Sequence, residues 1–305
     1  MSVDVRAGLT STPKTLPPKY FYDARGSELF DEITRLPEYY PFRAERSILE
    51  LHASSIAAVT GAQSLVELGS GTSEKTRLLL RALSSAGTLT SFVPFDVDPA
   101  VLKDASAAVA DEFPDLEIEP VVGDFEKHLG ALPRQPHRLI AFLGSTIGNL
   151  DPGERASFLR GVRATLDTGD CFLLGTDLVK SADRLIAAYD DAQGVTAAFN
   201  QNVLSVLNRD VGANFALDQF EHVAVWDAQK EWIEMRLRSL SDQVVRVDGL
   251  GLSVHFERGE SMRTEISSKF RRERVTVELA SAGLRLTQWW TDPTGDFALS
   301  LSVPG

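Results

Sequence analysis

The chain has 305 residues, 43% hydrophobic and 24% charged, with a formal net charge of -12. That length carries a sizeable core and suggests about two domains. The acidic balance argues against a nucleic-acid surface or an anionic membrane surface, both of which need clustered Lys and Arg. Cys171 is the single cysteine, so no disulfide framework exists within the chain, and its apolar neighbours Phe172, Leu173 and Leu174 make it a buried small hydrophobe. The first residues lack the apolar stretch of a signal peptide, and no run reaches the length of a membrane span, so the expected compartment is a reducing cytoplasm.

Up to Phe42 the chain is aromatic-rich (Tyr20, Phe21, Tyr22, Phe30, Tyr39, Tyr40) and broken by Pro17, Pro18, Pro37 and Pro41, so it is ordered by packing on something else. From Arg43 a helix is expected, with Ile48, Leu49, Leu51, Ile56 and Val59 at helical spacing. A first strand over 64–68 ends in Gly69-Ser70-Gly71, and a helix carrying Leu78, Leu79, Leu80 and Leu83 follows. A second strand ends at Asp96, with Asp98 and Pro99 as the cap and first residue of the next helix. A third strand is expected over 116–122, ending before Asp124, and a fourth over 138–143. Asp151 and Pro152 open another helix, and a fifth strand runs over 171–174. Strand and helix alternate, and the strands are nearly unbroken apolar runs, as in a parallel sheet covered by helices on both faces.

After Lys180 one helix is expected over 182–210, then strand-like runs at 223–226, 232–237, 243–247 and 252–256 that suggest an antiparallel region. A helix over 274–284 precedes two closing strands joined by the turn Asp292-Pro293-Thr294-Gly295. An α/β domain, residues 43–180 and 270–305, is thus interrupted by a smaller α+β domain made of residues 1–42 and 181–269.

Open α/β sheets bind ligands outside the carboxyl ends of their strands. Gly69-Ser70-Gly71 lets a ligand approach the backbone, Asp96 suits the hydroxyls of a ribose, and Asp124 with Phe125 suits an adenine edge and face. Gly-x-Gly alone also closes a tight turn with no ligand, but together the three strand ends favour adenosine. The third glycine of the dinucleotide fingerprint is replaced by Glu74, and no phosphate-loop lysine spacing exists, so a cofactor without phosphates, S-adenosylmethionine, fits best. His52, His128, His137, His222 and His255 are scattered without ligand spacing, so no metal site is expected.

These residues resemble the S-adenosylmethionine-dependent L-histidine Nα-methyltransferase family of ergothioneine biosynthesis. The likeness runs from Leu16-Pro17-Pro18-Lys19-Tyr20-Phe21-Tyr22-Asp23 through residues 66–76, Gly123-Asp124-Phe125 and residues 142–150 to Thr264-Glu265-Ile266-Ser267 and Trp289-Trp290-Thr291-Asp292-Pro293. The resemblance implies a Rossmann-like class I methyltransferase sheet with a second, smaller α+β substrate-binding domain. It places cofactor contacts on Gly69, Lys75, Asp96, Asp124 and Phe125, with Lys75 approaching the methionine carboxylate. It implies that Tyr39 and Asn149 hold the α-amino end of histidine as the catalytic pair, and that Tyr189 holds the carboxylate. Tyr22, Glu265 and Ser267 would address the imidazole, with Met235 lining its pocket and the substrate lying between the two domains. Taken singly, the tyrosines and Met235 read as core, Lys75 as an exposed helix lysine, Asn149 as a turn residue, and Glu265 and Ser267 as solvated strand residues. The implied partner is the small molecule L-histidine, with no nucleic acid or membrane, and a monomer is compatible with all of this. Methyl transfer to another small amine, nicotinamide-dependent oxidation and a non-catalytic adenosine-binding module are the competing readings.

Overall fold

The computed structural model describes residues 1–305. In chain order the elements are α1 Ser2–Thr10, α2 Ala24–Thr34, α3 Pro41–Thr60, β1 Ser64–Leu68, α4 Thr76–Ser85, β2 Ser91–Asp96, α5 Pro99–Glu112, β3 Glu117–Ile118, β4 Val121–Val122, β5 Arg138–Phe142, α6 Pro152–Thr165 and β6 Cys171–Asp177. They continue with α7 Ala182–Tyr189, α8 Val195–Asp210, β7 Phe220–Asp227, β8 Trp232–Ser239, β9 Gln243–Val247, β10 Leu252–Phe256, β11 Ser261–Ser268, α9 Arg272–Ser281, β12 Leu284–Thr291 and β13 Phe297–Pro304. The chain divides into two compact units, Met1–Tyr40 with Lys180–Lys269, and Pro41–Val179 with Phe270–Gly305.

The second of these units is built on one eight-stranded sheet, ordered β12-β13-β6-β5-β1-β2-β3, with β4 also on β2. Strands β1 to β6 run parallel, and β13 turns the far edge antiparallel by pairing with β6 and β12. Successive side chains of a strand face opposite sides. Leu65, Phe92, Leu139, Ala141 and Leu173 therefore join one core with Ile48, Leu49, Leu79 and Leu83 of α3 and α4. Val66, Val93, Ile140, Phe142 and Phe172 join another with Phe158, Val162, Val275 and Leu279 of α6 and α9. Burial on both faces is why these strands read as unbroken apolar runs, each large side chain contributing about 1.5–3 kcal/mol. The order reverses between β1 and β5, and the crevice outside the strands' carboxyl ends at such a reversal is where this fold takes ligands.

The predicted caps form. Asp98 accepts from the backbone of Ala100 and Val101, and Asp151 forms a capping box with Glu154. In the turn at Asp292 its carboxyl accepts from Asp296 and Phe297, both at 2.7 Å.

Several local expectations are corrected. The third strand is two short pieces, β3 and β4, because Pro120 between them has no N–H to give to a ladder. The helix expected over 182–210 breaks into α7 and α8: Gly194 has φ +74°, and the Asp191 carboxyl accepts from Gln193, Val195 and Thr196, starting the second helix afresh. The helix expected over 274–284 is shifted to Arg272–Ser281, since Gly283 at φ +79° stops it and Leu284 already belongs to β12. In α3, Leu51 and Val59 lie on the exposed side of a helix whose buried stripe is Ile48, Leu49, Ala53, Ile56 and Ala57. The amino-terminal segment carries two helices, α1 and α2, that its aromatic-rich composition did not reveal.

The other unit holds a three-stranded antiparallel sheet, β11-β8-β7, and the hairpin β9-β10. Its core joins Phe21, Leu29, Ile33, Leu185, Phe199, Val203, Ile233, Met235 and Phe256. No helix in the chain is long and apolar enough to cross a membrane.

Candidate active site

In the sheet unit, the expected cofactor residues lie along the carboxyl rim. Gly69 and Gly71 follow β1 with φ +67° and +48°, a region that favours glycine, and no atom lies within 4 Å of where a Cβ on either would stand. The loop is fixed to β2: the N–H groups of Gly69 and Ser70 donate to Phe95 O at 2.8 and 3.1 Å. Asp96, at the end of β2, accepts from Gly71 N at 3.0 Å on one oxygen and Asp98 N at 3.1 Å on the other. Ser70 Oγ is buried without a hydrogen-bond partner. An open glycine turn, a carboxylate across from it and an unpartnered hydroxyl make a cradle that fits the ribose and backbone-facing side of an adenosine cofactor.

Asp124 stands just beyond β4 and accepts from Glu126 N at 2.9 Å. The Phe125 ring, half-buried, meets Phe142 at 5.0 Å and Phe158 at 5.7 Å edge-on, so it is held firmly at the rim. Asn149 ends the single turn Thr146–Asn149 after β5 and is half-buried. Ser145, at φ +58°, ties that turn to β6 by accepting from Asp177 N at 2.9 Å.

Lys75 does not stand in solvent. Its ammonium pairs with Glu45 of α3 and lies 5.0 Å from the Phe42 ring. Glu45 is fully buried and accepts from Gly144 N at 2.8 and 3.0 Å. It fits because Gly175 leaves room: a Cβ there would stand 2.2 Å from Glu45 Oε1. Glu67, in β1, is also buried; it accepts from Ser73 and Thr76, and burial pushes its pKa up to about 8. Neither glutamate was given a role from sequence. A carboxylate inside an otherwise apolar strand, and one amid the apolar stripe of a helix, were the available signals.

The other unit holds six of the seven residues expected to bind the substrate, the seventh, Asn149, belonging to the sheet unit. Met235 and Glu265 are register partners on β8 and β11, so their side chains share one face, and Ser267 lies two residues further along that face. Tyr189 closes α7 and its Oη is 2.8 Å from Ser267 Oγ. The Tyr39 ring lies 6.3 Å from Tyr189 and 6.3 Å from Phe30, whose ring is 5.7 Å from Tyr22. Glu265 is 9% exposed, and its carboxyl makes no hydrogen bond with the protein. Burial pushes its pKa up to about 7, with Lys269 pulling the other way.

A buried polar chain supports this face from behind. His222 Nε2 donates to Tyr189 O at 2.7 Å, since a carbonyl only accepts. Its Nδ1 accepts from Asn200 Nδ2 at 2.8 Å, and Asn200 Nδ2 also donates to Arg236 O at 3.1 Å. Thr264 Oγ1 lies 2.6 Å from Asn200 Oδ1 and 3.0 Å from Met235 O. These contacts fix a neutral imidazole with its proton on Nε2, and burial lowers its pKa accordingly. Sequence reasoning left His222, Asn200 and Lys269 without roles, because long-range hydrogen bonding has no local signature.

Parallel strands with helices on both faces and an open glycine turn at the switch point suit a nucleoside-type cofactor, and the match to a family model makes the chain an S-adenosylmethionine-dependent methyltransferase. The chain belongs to the histidine-specific, S-adenosylmethionine-dependent methyltransferase family, whose model matches residues 1–304. It is 61% identical over 300 residues to the histidine N-alpha-methyltransferase of Mycolicibacterium smegmatis, covering 98% of this chain and 94% of that one. It is 57% identical over the same length and shares to the histidine N-alpha-methyltransferase of Mycobacterium tuberculosis. A 34% identical stretch of 224 residues, 70% of this chain, matches 29% of ergothioneine biosynthesis protein 1 of Schizosaccharomyces pombe.

Proposed function

We propose that this chain moves methyl groups from S-adenosylmethionine to the α-amino nitrogen of L-histidine, three times, giving hercynine for ergothioneine biosynthesis. The reading is carried by Glu265: a buried carboxyl without a hydrogen bond to the protein, on one face with Ser267 and Met235. Its pKa of about 7 lies close to the roughly 6.5 of a free imidazole, so the two groups can share one proton from either side. Glu265, Ser267 and Tyr22 would take the imidazole, Met235 would line its pocket, Tyr189 would hold the carboxylate, and Tyr39 and Asn149 would orient the amine. On the cofactor, Asp96 would accept from the ribose hydroxyls, Asp124 and Phe125 would hold the adenine, Gly69 would admit the backbone side, and Lys75 would face the methionine carboxylate.

Bound S-adenosylmethionine would supply a methyl carbon on a sulfonium: the amine lone pair would take the methyl while the carbon–sulfur electron pair stays on sulfur, which leaves as the thioether S-adenosylhomocysteine. The chain's part is to keep that lone pair free and aimed. Enclosure by aromatic side chains disfavours the ammonium form, so the amine gives up its proton to solvent water before each round. Alignment of nitrogen, methyl and sulfur can supply much of the rate. The third methyl leaves a quaternary nitrogen with no lone pair, and the reaction stops there for chemical reasons. A cytoplasmic setting belongs to the same proposal, supported by a single thiol, Cys171, that is buried and unpaired.

The test is incubation with S-adenosylmethionine and a panel of amino acids, with products weighed by mass spectrometry. Histidine is expected to gain up to three methyls on its α-nitrogen; methylation of another amino acid in preference to histidine would refute the assignment.

A further inference from the structure

Strand β11 carries one residue more than its partner strand can match. Met262 pairs with Leu237 and Glu265 with Met235, so three steps along β11 face two along β8, and Thr264 is the extra residue of a β-bulge. Alternation along an unbroken strand would put Met262, Thr264 and Ile266 on one face, with Glu265 and Ser267 on the other. The bulge reverses that parity beyond Thr264. Glu265 and Ser267 come to share the face of Met235 and Ile233, while Ile266 pairs with Glu234 on the opposite one. Met235 and Ile233 belong to the buried core of this unit. Two polar side chains thus stand on the core side and an isoleucine stands off it, against the hydrophobic pattern of the segment.

The bulge is held from two directions. Along the outer edge, Arg263 N donates to Lys14 O at 2.9 Å and Arg263 O accepts from Leu16 N at 2.8 Å. From α8, Asn200 Oδ1 lies 2.6 Å from Thr264 Oγ1. Arg236 O, 3.1 Å from Asn200 Nδ2, only accepts, so the amide nitrogen faces Arg236 and the amide oxygen faces Thr264, whose hydroxyl donates. The remaining N–H of Asn200 goes to His222 Nδ1. Asn200 is wholly buried and all its polar atoms are engaged, so it cannot turn. We propose that Asn200 is a positioning residue: its bond to Thr264 locks the β11 bulge, and the bulge is what turns Glu265 and Ser267 toward the face that takes an imidazole. This rests on the histidine reading above. With the lock removed, the alternation of Met262, Thr264 and Ile266 competes for the core face, and the carboxyl of Glu265 is no longer held there.

The experiment titrates L-histidine in the presence of S-adenosylhomocysteine. T264V keeps the shape of the side chain and removes the donated hydrogen bond. It is expected to raise the Kd for histidine by about tenfold or more, as loss of a charge-assisted bond does. T264S, which keeps the hydroxyl, is expected to bind histidine like the parent. The Kd for S-adenosylhomocysteine is expected to stay within about twofold of the parent's, a change too small to register as lost binding energy. E265A is expected to weaken histidine binding on its own, and T264V/E265A to weaken it no further, because the bulge acts through Glu265. N200A removes the acceptor instead of the donor, is expected to match T264V, and is read alone if T264V does not fold. A folded T264V or N200A that binds histidine as tightly as the parent would overturn the proposal, and so would an equal further loss in the E265A background, which is what general loosening of the fold produces. An E265A protein that binds histidine like the parent, or a parent protein that binds none, would instead overturn the histidine reading itself.

Discussion

Lys75 and Glu45 form an ion pair at the carboxyl rim of the sheet, the glutamate fully buried and held by the Gly144 backbone N–H. Each charge is stable in that place only because the other is there. Removing one partner of such a pair costs about 3–5 kcal/mol, whereas removing both is far milder. E45Q is therefore expected to lower unfolding free energy by about 3 kcal/mol, at the small end because Lys75 is partly exposed. K75M/E45Q is expected to recover most of the loss. Urea unfolding of the two single variants and the double variant checks this; additive losses would deny the pairing.

Asp96 ends β2 and Asn149 ends the turn Thr146–Asn149 that follows β5, and their proposed tasks differ. D96A should weaken S-adenosylmethionine binding by about tenfold or more, the worth of a charged acceptor. N149A should lower kcat for histidine by about tenfold or more, as lost alignment does, with cofactor Kd nearly unchanged. Calorimetric titration with the cofactor, alongside initial rates, distinguishes them, and equal loss of binding and rate in N149A would contradict its orienting role.

Glu265 predicts a pH dependence with a definite sign. Its pKa in the folded chain is about 7, above the ordinary carboxylate value, so the folded state holds the proton longer. Its contribution to stability is full at pH below the unfolded value and disappears as pH rises through about 7. Histidine binding should follow: above about 7 neither imidazole nor carboxylate carries the shared proton, and Kd weakens. In E265Q the amide can donate to a neutral imidazole, so Kd should stay flat on the alkaline side and weaken on the acid side instead. Titration of histidine in the presence of S-adenosylhomocysteine across neutral pH reads the difference.

His222 carries the opposite sign. Burial holds its pKa below the ordinary 6.5, so the unfolded chain takes up a proton that the folded chain refuses. Stability is full above that value and falls as pH drops below it. H222Q should remove this slope. It should also loosen the hold on Tyr189 O and raise KM for histidine, while cofactor binding stays unchanged. Thermal unfolding of both proteins on the acid side of neutrality, with one histidine titration, tests both parts.

The sheet and the glycine turn at its carboxyl rim were legible in the linear sequence because their signals are local. Strands buried on both faces must be apolar throughout, a turn at φ +67° and +48° favours glycine at 69 and 71, and Asp98 and Asp151 cap the helices that directly follow them. The proposed substrate residues could be named only through family likeness, since Tyr189, Met235 and Glu265 each look ordinary in their own neighbourhoods. Pro120 and the Asp191 cap were visible, yet what they interrupt depends on which neighbour offers the next hydrogen bond. The tertiary structure alone decided that Lys75 meets Glu45, that Lys269 joins Tyr189 to Ser267, and that His222 fixes the Tyr189 carbonyl. Periodicity reports only which side of an element is buried. The partner of a buried charge or hydroxyl is set by segments distant in sequence that folding brings within 3 Å, a pairing forced by the cost of leaving such a group unsatisfied.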